Sequence, residues 1–349
     1  MRFLLQFAQQ HVDFRLAELD SVLIMSGVAS PWTHYDAAEH DGALDHPFLE
    51  IELPSVEIAQ RVVERALLVK RVYELWASAA DGALSTLEAN VRAMVAAKDT
   101  NGFARYCDAA TSWSLKVSGF NRKVPLLEQE ALRAQFRFVP LAGAVKIRGA
   151  DHTFWLITDF VAAHAQGKHP ARPRRRFYAR EVGVGPRHLI AAHTLKKRRF
   201  LGPTSMDAEL SLVMANMGLV RKGTVCLDPY VGTGSLLVAC AQFGAYCMGS
   251  DIDMRILRGK KGKCMRDNFE QYGLPLPELV RADLSPRGAS VFAFWNPKVD
   301  AATNAFRAPP TPLLGAIVCD PPYGIRAGAR KSGSRRLVVK AIPKVRAGV

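Results

Sequence analysis

No two cysteines in this chain stand in a CxxC pair, and the six present, at 107, 226, 240, 247, 264 and 319, form no regular framework. Neither a metal site nor a disulfide scaffold is expected. The thiols read as buried and reduced, as in a cytosolic or nuclear protein, and a cytoplasmic location is expected. Long apolar runs are missing as well. The most apolar stretch, 224–249, contains Asp228 and four glycines, so no membrane span is expected. The opening MRFLLQFAQQHVDFRL turns polar within one helical turn, too early for a signal peptide. There is no internal repeat at a period of roughly 20–50 residues. Acid is the scarcer charge: 32 Asp and Glu stand against 47 Lys and Arg, giving a formal net charge of +15 and a pI of about 9.8. A polyanion is therefore the first partner to consider, held by salt-dependent counterion release. A basic surface without a specific partner would give the same totals, so charge alone decides little.

What is present suits two or three packed domains, with 349 residues of which 49% are hydrophobic. FLLQF (3–7) is strand-like, and HVDFRLAELDSVLIM places Val12, Leu16, Leu19 and Leu23 at helical spacing. FLEIELP (48–54) alternates, and SVEIAQRVVERALLVKRVYELW returns to the helical period behind Ser55 as N-cap. This β-α-β-α order predicts a small α+β unit over residues 1–75. A second α+β unit is expected over 76–165, with LLEQEALRAQF helix-like and GAVKIRG and HTFWLITDF strand-like. Residues 168–200 then hold eleven Lys or Arg against one acid, Glu181, so 166–200 reads as a basic linker. Arg174, Arg175, Arg176, Lys196, Lys197, Arg198 and Arg199 are its candidates to lie along nucleic acid. From 201 onward, strand-turn-helix units alternate: TVCLD, YVGTG, SLLVACAQF, AYCMGSD, the basic helix DMRILRGKKGKCMRDNF, LVRAD and the apolar LGAIVCD. That order predicts a parallel, doubly wound sheet.

Four pieces of this last region carry chemistry. In LDPYVGTGSLL (227–237), Asp228 ends a strand, Gly232 and Gly234 let backbone approach a ligand, and a helix opens at Ser235. The turn lacks the third glycine of a dinucleotide fingerprint, which argues against NAD. In GSDID, Asp251 ends the next strand, where a carboxylate can accept both ribose hydroxyls; alone, it is as readily a helix N-cap. Asp283 follows the third strand, where an acid can meet an adenine amine. The fourth piece is CDPPYG (319–324). At the switch point of a doubly wound sheet, Asp228, Gly232 and Asp320 converge across 92 residues of sequence. An exocyclic amine is a poor nucleophile because its lone pair is delocalised into the ring. The Asp320 carboxylate and the Pro321 carbonyl, accepting from its N–H groups, favour a pyramidal nitrogen aimed at an electrophilic methyl. Pro321 and Pro322 fix the backbone, and Tyr323 can stack on a base swung out of its helix. An Asp-Pro turn closing a strand is the plainer reading of DP alone.

Together these pieces resemble the class I S-adenosylmethionine-dependent methyltransferases that act on amino groups of bases. FAQQHVDFRLAELDSVL, LKKRRFLGPTSMDAELSLVMAN, DPYVGTGSLLVACAQFGAY, GSDID and DPPYGIRAGARKSGS narrow the resemblance to the THUMP-containing tRNA (guanosine-10 N2)-methyltransferase catalytic subunits, up to about Arg336. The resemblance implies a ferredoxin-like/THUMP region that grips tRNA, followed by a Rossmann-like methyltransferase domain over 201–349. A small zinc-binding activator subunit is also implied. Carried over, Asp228, Pro229, Gly232 and Gly234 line the methionine end of the cofactor, Asp251 holds the ribose, Asp283 the adenine, and Asp320 to Tyr323 the guanine. Two departures stand out. Residues 288–312 look like an insertion without an assigned role. The family pattern continues after DPPYG with further helices and three strands, whereas RRLVVKAIPKVRAGV follows here, so a C-terminally incomplete sheet is expected. Transfer to guanine N2 is the leading expectation. Adenine-N6 transfer and an inactive tRNA-binding form are the alternatives.

Overall fold

The computed structural model describes residues 1–36, 47–161, 172–203, 205–283 and 314–322, in two compact units, Met1–Ala192 and His193–Val349. The first unit is built on one six-stranded sheet, order β2-β1-β3-β6-β5-β4. Its strands are β1 (Arg2–Phe7), β2 (Phe48–Glu52), β3 (Val69–Ala79), β4 (Trp113–Phe120), β5 (His152–Phe160) and β6 (Pro173–Val184). All neighbouring pairs are antiparallel except β4 with β5. Helices α1 (Arg15–Met25) and α2 (Val56–Arg65) pack on the β1–β3 half, where Phe3, Leu5, Phe7, Leu19, Val22, Ile51, Val62 and Val63 are buried together. Helices α3 (Leu84–Ala96) and α5 (Leu126–Gln135), with the short α4 (Lys98–Asn101) between them, serve the other half through Leu87, Val91, Phe103, Leu132, Phe154 and Tyr178. A last short helix, α6 (His188–Ala192), closes the unit.

Two sequence expectations change here. The helical period assigned to ALLVKRVYELW belongs to a strand: α2 stops at Arg65, and Ala66 is already extended, with φ −70° and ψ 121°. The buried Glu18 carboxylate accepts from Leu67 N and Leu68 N at 2.9 and 2.8 Å, taking donors that a continued helix would need. A central strand is buried on both faces and shows nearly continuous apolar residues, so Val69, Val72, Tyr73 and Trp76 imitate a helical stripe. The basic stretch read as a linker holds β6, which spans 173–184 and pairs with β3 on one side and β5 on the other. Its arginines find protein partners, so a charge run that composition assigns to solvent lies inside a sheet. GAVKIRG forms only a bridge from Val145 to Trp113.

The second unit has helix α7 (Ala208–Met217), then β7 (Val225–Asp228), α8 (Ser235–Gln242), β8 (Tyr246–Asp251), α9 (Met254–Arg258), α10 (Met265–Gln271), β9 (Glu278–Arg281) and β10 (Ala316–Ile317). The sheet order is β10-β7-β8-β9 and every pair is parallel. The strand leading to Asp320 is thus the neighbour of the strand leading to Asp228, as the doubly wound reading expects. The single basic helix expected after Asp253 is two short ones. Gly259 and Gly262 sit at φ +86° and +71°, and a side chain at Gly259 would run into the Lys263 carbonyl. Among the described residues, no helix is long and apolar enough to cross a membrane.

In the first unit one acid holds three elements. Glu74 on β3 is 2% exposed and accepts from Arg105 Nη2 at 2.5 Å, Tyr106 Oη at 2.7 Å and Arg180 Nε at 2.8 Å. Removing one member of a buried ion pair leaves the other uncompensated. Glu74→Ala should lower the unit's stability by about 3–5 kcal/mol, read by urea unfolding through Trp76 and Trp155 fluorescence, with Glu74→Gln milder.

Candidate active site

The carboxyl ends of β7, β8 and β10 gather the acids. Asp228 closes β7 and is only 2% exposed; its Oδ1 accepts from Tyr230 N at 3.0 Å. Burial, against the opposing Tyr230 N–H and with smaller contributions from the neighbouring Asp251 and Asp320 charges, lifts its carboxyl to about 7. The parallel pairing of β10 with β7 and of β7 with β8 sets the ends of these three strands side by side. Beneath them Cys226, Cys240 and Cys247 are buried free thiols, with the first two sulfurs 3.5 Å apart. Burial pushes the Cys247 thiol up to about 12, so these sulfurs pack as small apolar groups.

The turn between β7 and α8 is fastened at several points. Val231 N donates to Ser250 O at 2.8 Å, and Gly232 N to Asp251 Oδ2 at 3.0 Å. Gly232 (φ +51°) faces open space, since a Cβ there would meet nothing closer than 3.9 Å. Gly234 (φ +80°) is closed in: a Cβ would lie 2.7 Å from Cγ and Sδ of Met265, itself fully buried at the start of α10. Pro229 offers its carbonyl to Ser250 Oγ, which donates at 3.0 Å. Asp251 is half-buried; its second oxygen, Oδ1, accepts from Asp253 N at 2.8 Å. Each Asp251 oxygen therefore holds one backbone N–H and keeps a further lone pair. Asp253, rather than Asp251, is the N-cap of α9, accepting from Arg255 N at 2.9 Å. Asp283 is half-buried just past β9. Asp320 is half-buried after β10, followed by the exposed Pro321 and Pro322; Tyr323 lies outside the described residues.

The arginines expected on nucleic acid divide sharply. On β6, Arg176 donates from Nε to Gly82 O at 2.8 Å and from Nη1 to Thr158 Oγ1 at 3.0 Å. Arg175 and Arg174 approach the fully buried Asp159 at 3.9 and 4.0 Å, and Arg175 also lies 5.4 Å over the Phe177 ring. Arg175 and Arg176 are thus engaged within the first unit, and the Arg174 side chain keeps twice the exposure of Arg175, 32% against 16%. In the second unit Lys196, Lys197 and Arg199 are exposed, whereas Arg198 is 6% exposed and donates to Ser235 Oγ at 2.8 Å and His193 O at 3.2 Å. Burial removes Arg198 from the RNA-facing set and makes it a strut under the first residue of α8.

Sequence reasoning missed the rest of that strap. Ser205 Oγ lies 2.7 Å from Thr233 Oγ1 and accepts from Gly202 N at 3.0 Å. Asn268 exchanges two 2.8 Å hydrogen bonds with the Phe200 backbone, and Gln271 accepts from Arg199 N and donates to Lys197 O. The glycine turn is gripped on both sides of Gly234 by a segment that composition marks only as basic. The interruption of the cations by Phe200 was the available signal.

Residues 1–187 match the family described as Tmrp11 THUMP N-terminal domain, and residues 196–343 the family described as RMKL-like, methyltransferase domain. The chain is 32% identical over 345 residues to the tRNA (guanine(10)-N(2))-methyltransferase TRMT11 of Homo sapiens, covering 98% of this chain and 70% of that protein. The protein of the same name from Xenopus laevis is 33% identical over 339 residues, with 97% and 67% covered. Among solved structures, TrmN from Thermus thermophilus is similar with a TM-score of 0.42 and 14% identity, covering 86% of this chain and 77% of that one.

The two turn glycines should respond differently to one added methyl group. Gly234→Ala combines an unfavourable φ with a collision against a buried side chain and should cost about 2–3 kcal/mol. Gly232→Ala carries the backbone term alone, about 1 kcal/mol. Thermal unfolding together with amide exchange across 231–237 distinguishes the two.

Proposed function

The chain belongs to the THUMP-containing tRNA (guanine(10)-N(2))-methyltransferases, and from that membership we propose that it transfers a methyl group from S-adenosylmethionine to the exocyclic N2 of a guanosine in tRNA, at position 10. The single observation that carries the chemistry is the placement of Asp228, Asp251 and Asp320 at the carboxyl ends of three adjoining parallel strands, with Asp251 bonded to the glycine turn that follows Asp228.

The residues present fit an adenosyl sulfonium. Asp251 keeps a free lone pair on each oxygen beside the open backbone of Gly232, which suits a ribose diol. Asp228 and Pro229, beside the open backbone of Gly232 and the turn that Gly234 closes against Met265, are proposed to receive an α-ammonium, and Asp283, just past β9, an adenine amine. Bound there, the cofactor supplies an electrophilic methyl. The chain's own contribution is positioning: the Asp320 carboxylate and Pro321 carbonyl accept from the two N–H bonds of the guanine amine and turn its lone pair toward the methyl, and the carboxylate takes up the proton that the product must lose. Pro322 stiffens this support, and Tyr323 is proposed as the stacking partner of the flipped base. Arg174, Lys196, Lys197 and Arg199 are proposed contacts to tRNA phosphates. The heterodimer with a small zinc-binding activator subunit, and a cytoplasmic location, are proposed on the family resemblance.

Incubation with unmodified tRNA and methyl-labelled cofactor, with and without the activator subunit, should place label on guanosine N2 after nuclease digestion. Label on adenine N6 instead would favour the alternative substrate, and cofactor-independent tRNA binding without label would favour the inactive form. Asp228 also gives the reaction a pH signature. Its carboxyl is raised, so between the ordinary carboxylate range and about 7 the folded protein holds a proton that the unfolded chain has released. Stability from this group therefore falls as pH rises through that window. A ligand ammonium selects the ionised form, so S-adenosylhomocysteine affinity should rise roughly tenfold between about pH 6 and about pH 8. Asp228→Asn should flatten that rise, weaken binding, and stabilise the free protein near pH 8, as calorimetry and thermal unfolding would record.

A further inference from the structure

Between β8 and β9 the chain makes an excursion that neither the fold nor the proposed chemistry uses. From Arg255 to Arg266 it carries Arg255, Arg258, Lys260, Lys261, Lys263 and Arg266, all exposed, and no acid. The two acids that bracket it are occupied. Asp253 caps α9 and pairs with Arg255 at 2.6 Å, and Asp267 Oδ2 accepts from Cys264 N at 2.7 Å. The other five cations have no acidic partner among the described residues.

The cations are held in place. Lys260 N donates to Lys263 O at 2.8 Å and Lys263 N to Lys260 O at 3.0 Å, closing a two-residue turn. Its central residues, Lys261 and Gly262, both have positive φ, +53° and +71°, as a type I′ turn requires. Three lysines are thereby confined to one tight tip. Each end of the excursion is fixed to the candidate site. Asp253 N donates to the Asp251 carboxylate, and Met265 seats against Gly234. Arg281 of β9, exposed, donates to Ile252 O at 3.2 Å and adds a cation at the base of the excursion. A solvated charged surface explains exposed lysines in general. It does not explain why like charges are concentrated on an acid-free tip whose feet stand on the end of β8 and on the glycine turn after β7, where their mutual repulsion is a standing cost in the free protein.

We propose that this turn is a phosphate-binding edge of the catalytic unit, which grips the tRNA backbone beside the nucleotide presented to Asp320. The inference rests on the tRNA reading above and adds a contact surface outside the basic strap at 196–199. A compact tip of cations fits successive phosphates, and binding there needs no base identity, leaving sequence choice to the crevice.

The test is a triple variant of the full chain, Lys260→Gln, Lys261→Gln and Lys263→Gln, beside the charge-conserving Lys→Arg triple. Binding of unmodified tRNA is measured against salt concentration, together with KM and kcat for methyl transfer and calorimetric affinity for S-adenosylhomocysteine. The Gln triple should reduce the slope of log affinity against log salt by about 2, from roughly 0.7–0.9 per lost phosphate contact. It should raise the KM for tRNA by roughly 10- to 100-fold at low salt, with cofactor affinity unchanged and the Arg triple near wild type. An unchanged slope and KM in a protein whose wild type binds tRNA would overturn the inference alone. An equal loss of cofactor affinity would overturn it too, since the turn would then be shaping the crevice. A wild type that binds no tRNA at any salt would overturn the functional reading and this inference with it.

Discussion

Asp251 receives Gly232 N–H on one carboxylate oxygen and Asp253 N–H on the other, and so ties the glycine turn after β7 to the start of α9 through the end of β8. A parallel sheet brings strand ends together, but it does not fix the loops that leave them. Here one charged group does so with two charge-assisted hydrogen bonds. The open backbone at Gly232, the cap at Asp253 and the foot of the basic excursion all inherit their positions from it. Burial does most to raise the Asp228 carboxyl, and the charge of the same acid adds to it, so the fastening that orders the crevice also contributes to its electrostatics.

The net charge of +15 is divided between two uses. Arg15 on Ala8 O, Arg176 on Gly82 O and Thr158, Arg180 on Glu74 and Arg198 on Ser235 are guanidiniums that hold backbone or side chains inside their units. Arginine suits that work because its fork stays charged and donates in several directions. The lysines are distributed otherwise: Lys196, Lys197, Lys260, Lys261 and Lys263 are all exposed. Arg199, Arg255, Arg258, Arg266 and Arg281 are exposed with them, so the surface cations are of both kinds, while Arg15, Arg176, Arg180 and Arg198 are structural.

The second unit was largely legible in the sequence because its strands are short, apolar and separated by glycine turns, so period and punctuation agree. The order of β10 beside β7 and the turn at 229–234 between β7 and α8 both followed. The first unit was less legible. Its central strand β3 is buried along most of both faces, and such strands lose the alternation that identifies them, while β6 is half-buried over most of its length. β3 therefore read as helix, and β6, loaded with arginines whose partners are distant in sequence, read as linker. Arg198 shows the same limit on a smaller scale: nothing local separates it from Lys197 and Arg199, and only the tertiary contact with Ser235 does.

The place of β6 in the first sheet bears on how the chain is made. In order of synthesis the ribosome delivers β1 to β5 first, as two patches: β2-β1-β3 on one side and β5-β4 on the other. Neither patch bonds to the other until residues 173–184 emerge and slot between β3 and β5. Until then each patch exposes an unpaired inner edge, the kind of surface on which nascent chains misassociate. The arginines that line the arriving strand complete the set around Glu74, which Arg105 and Tyr106 already hold, and Asp159 meets Arg174 and Arg175 in the same late step that closes the sheet.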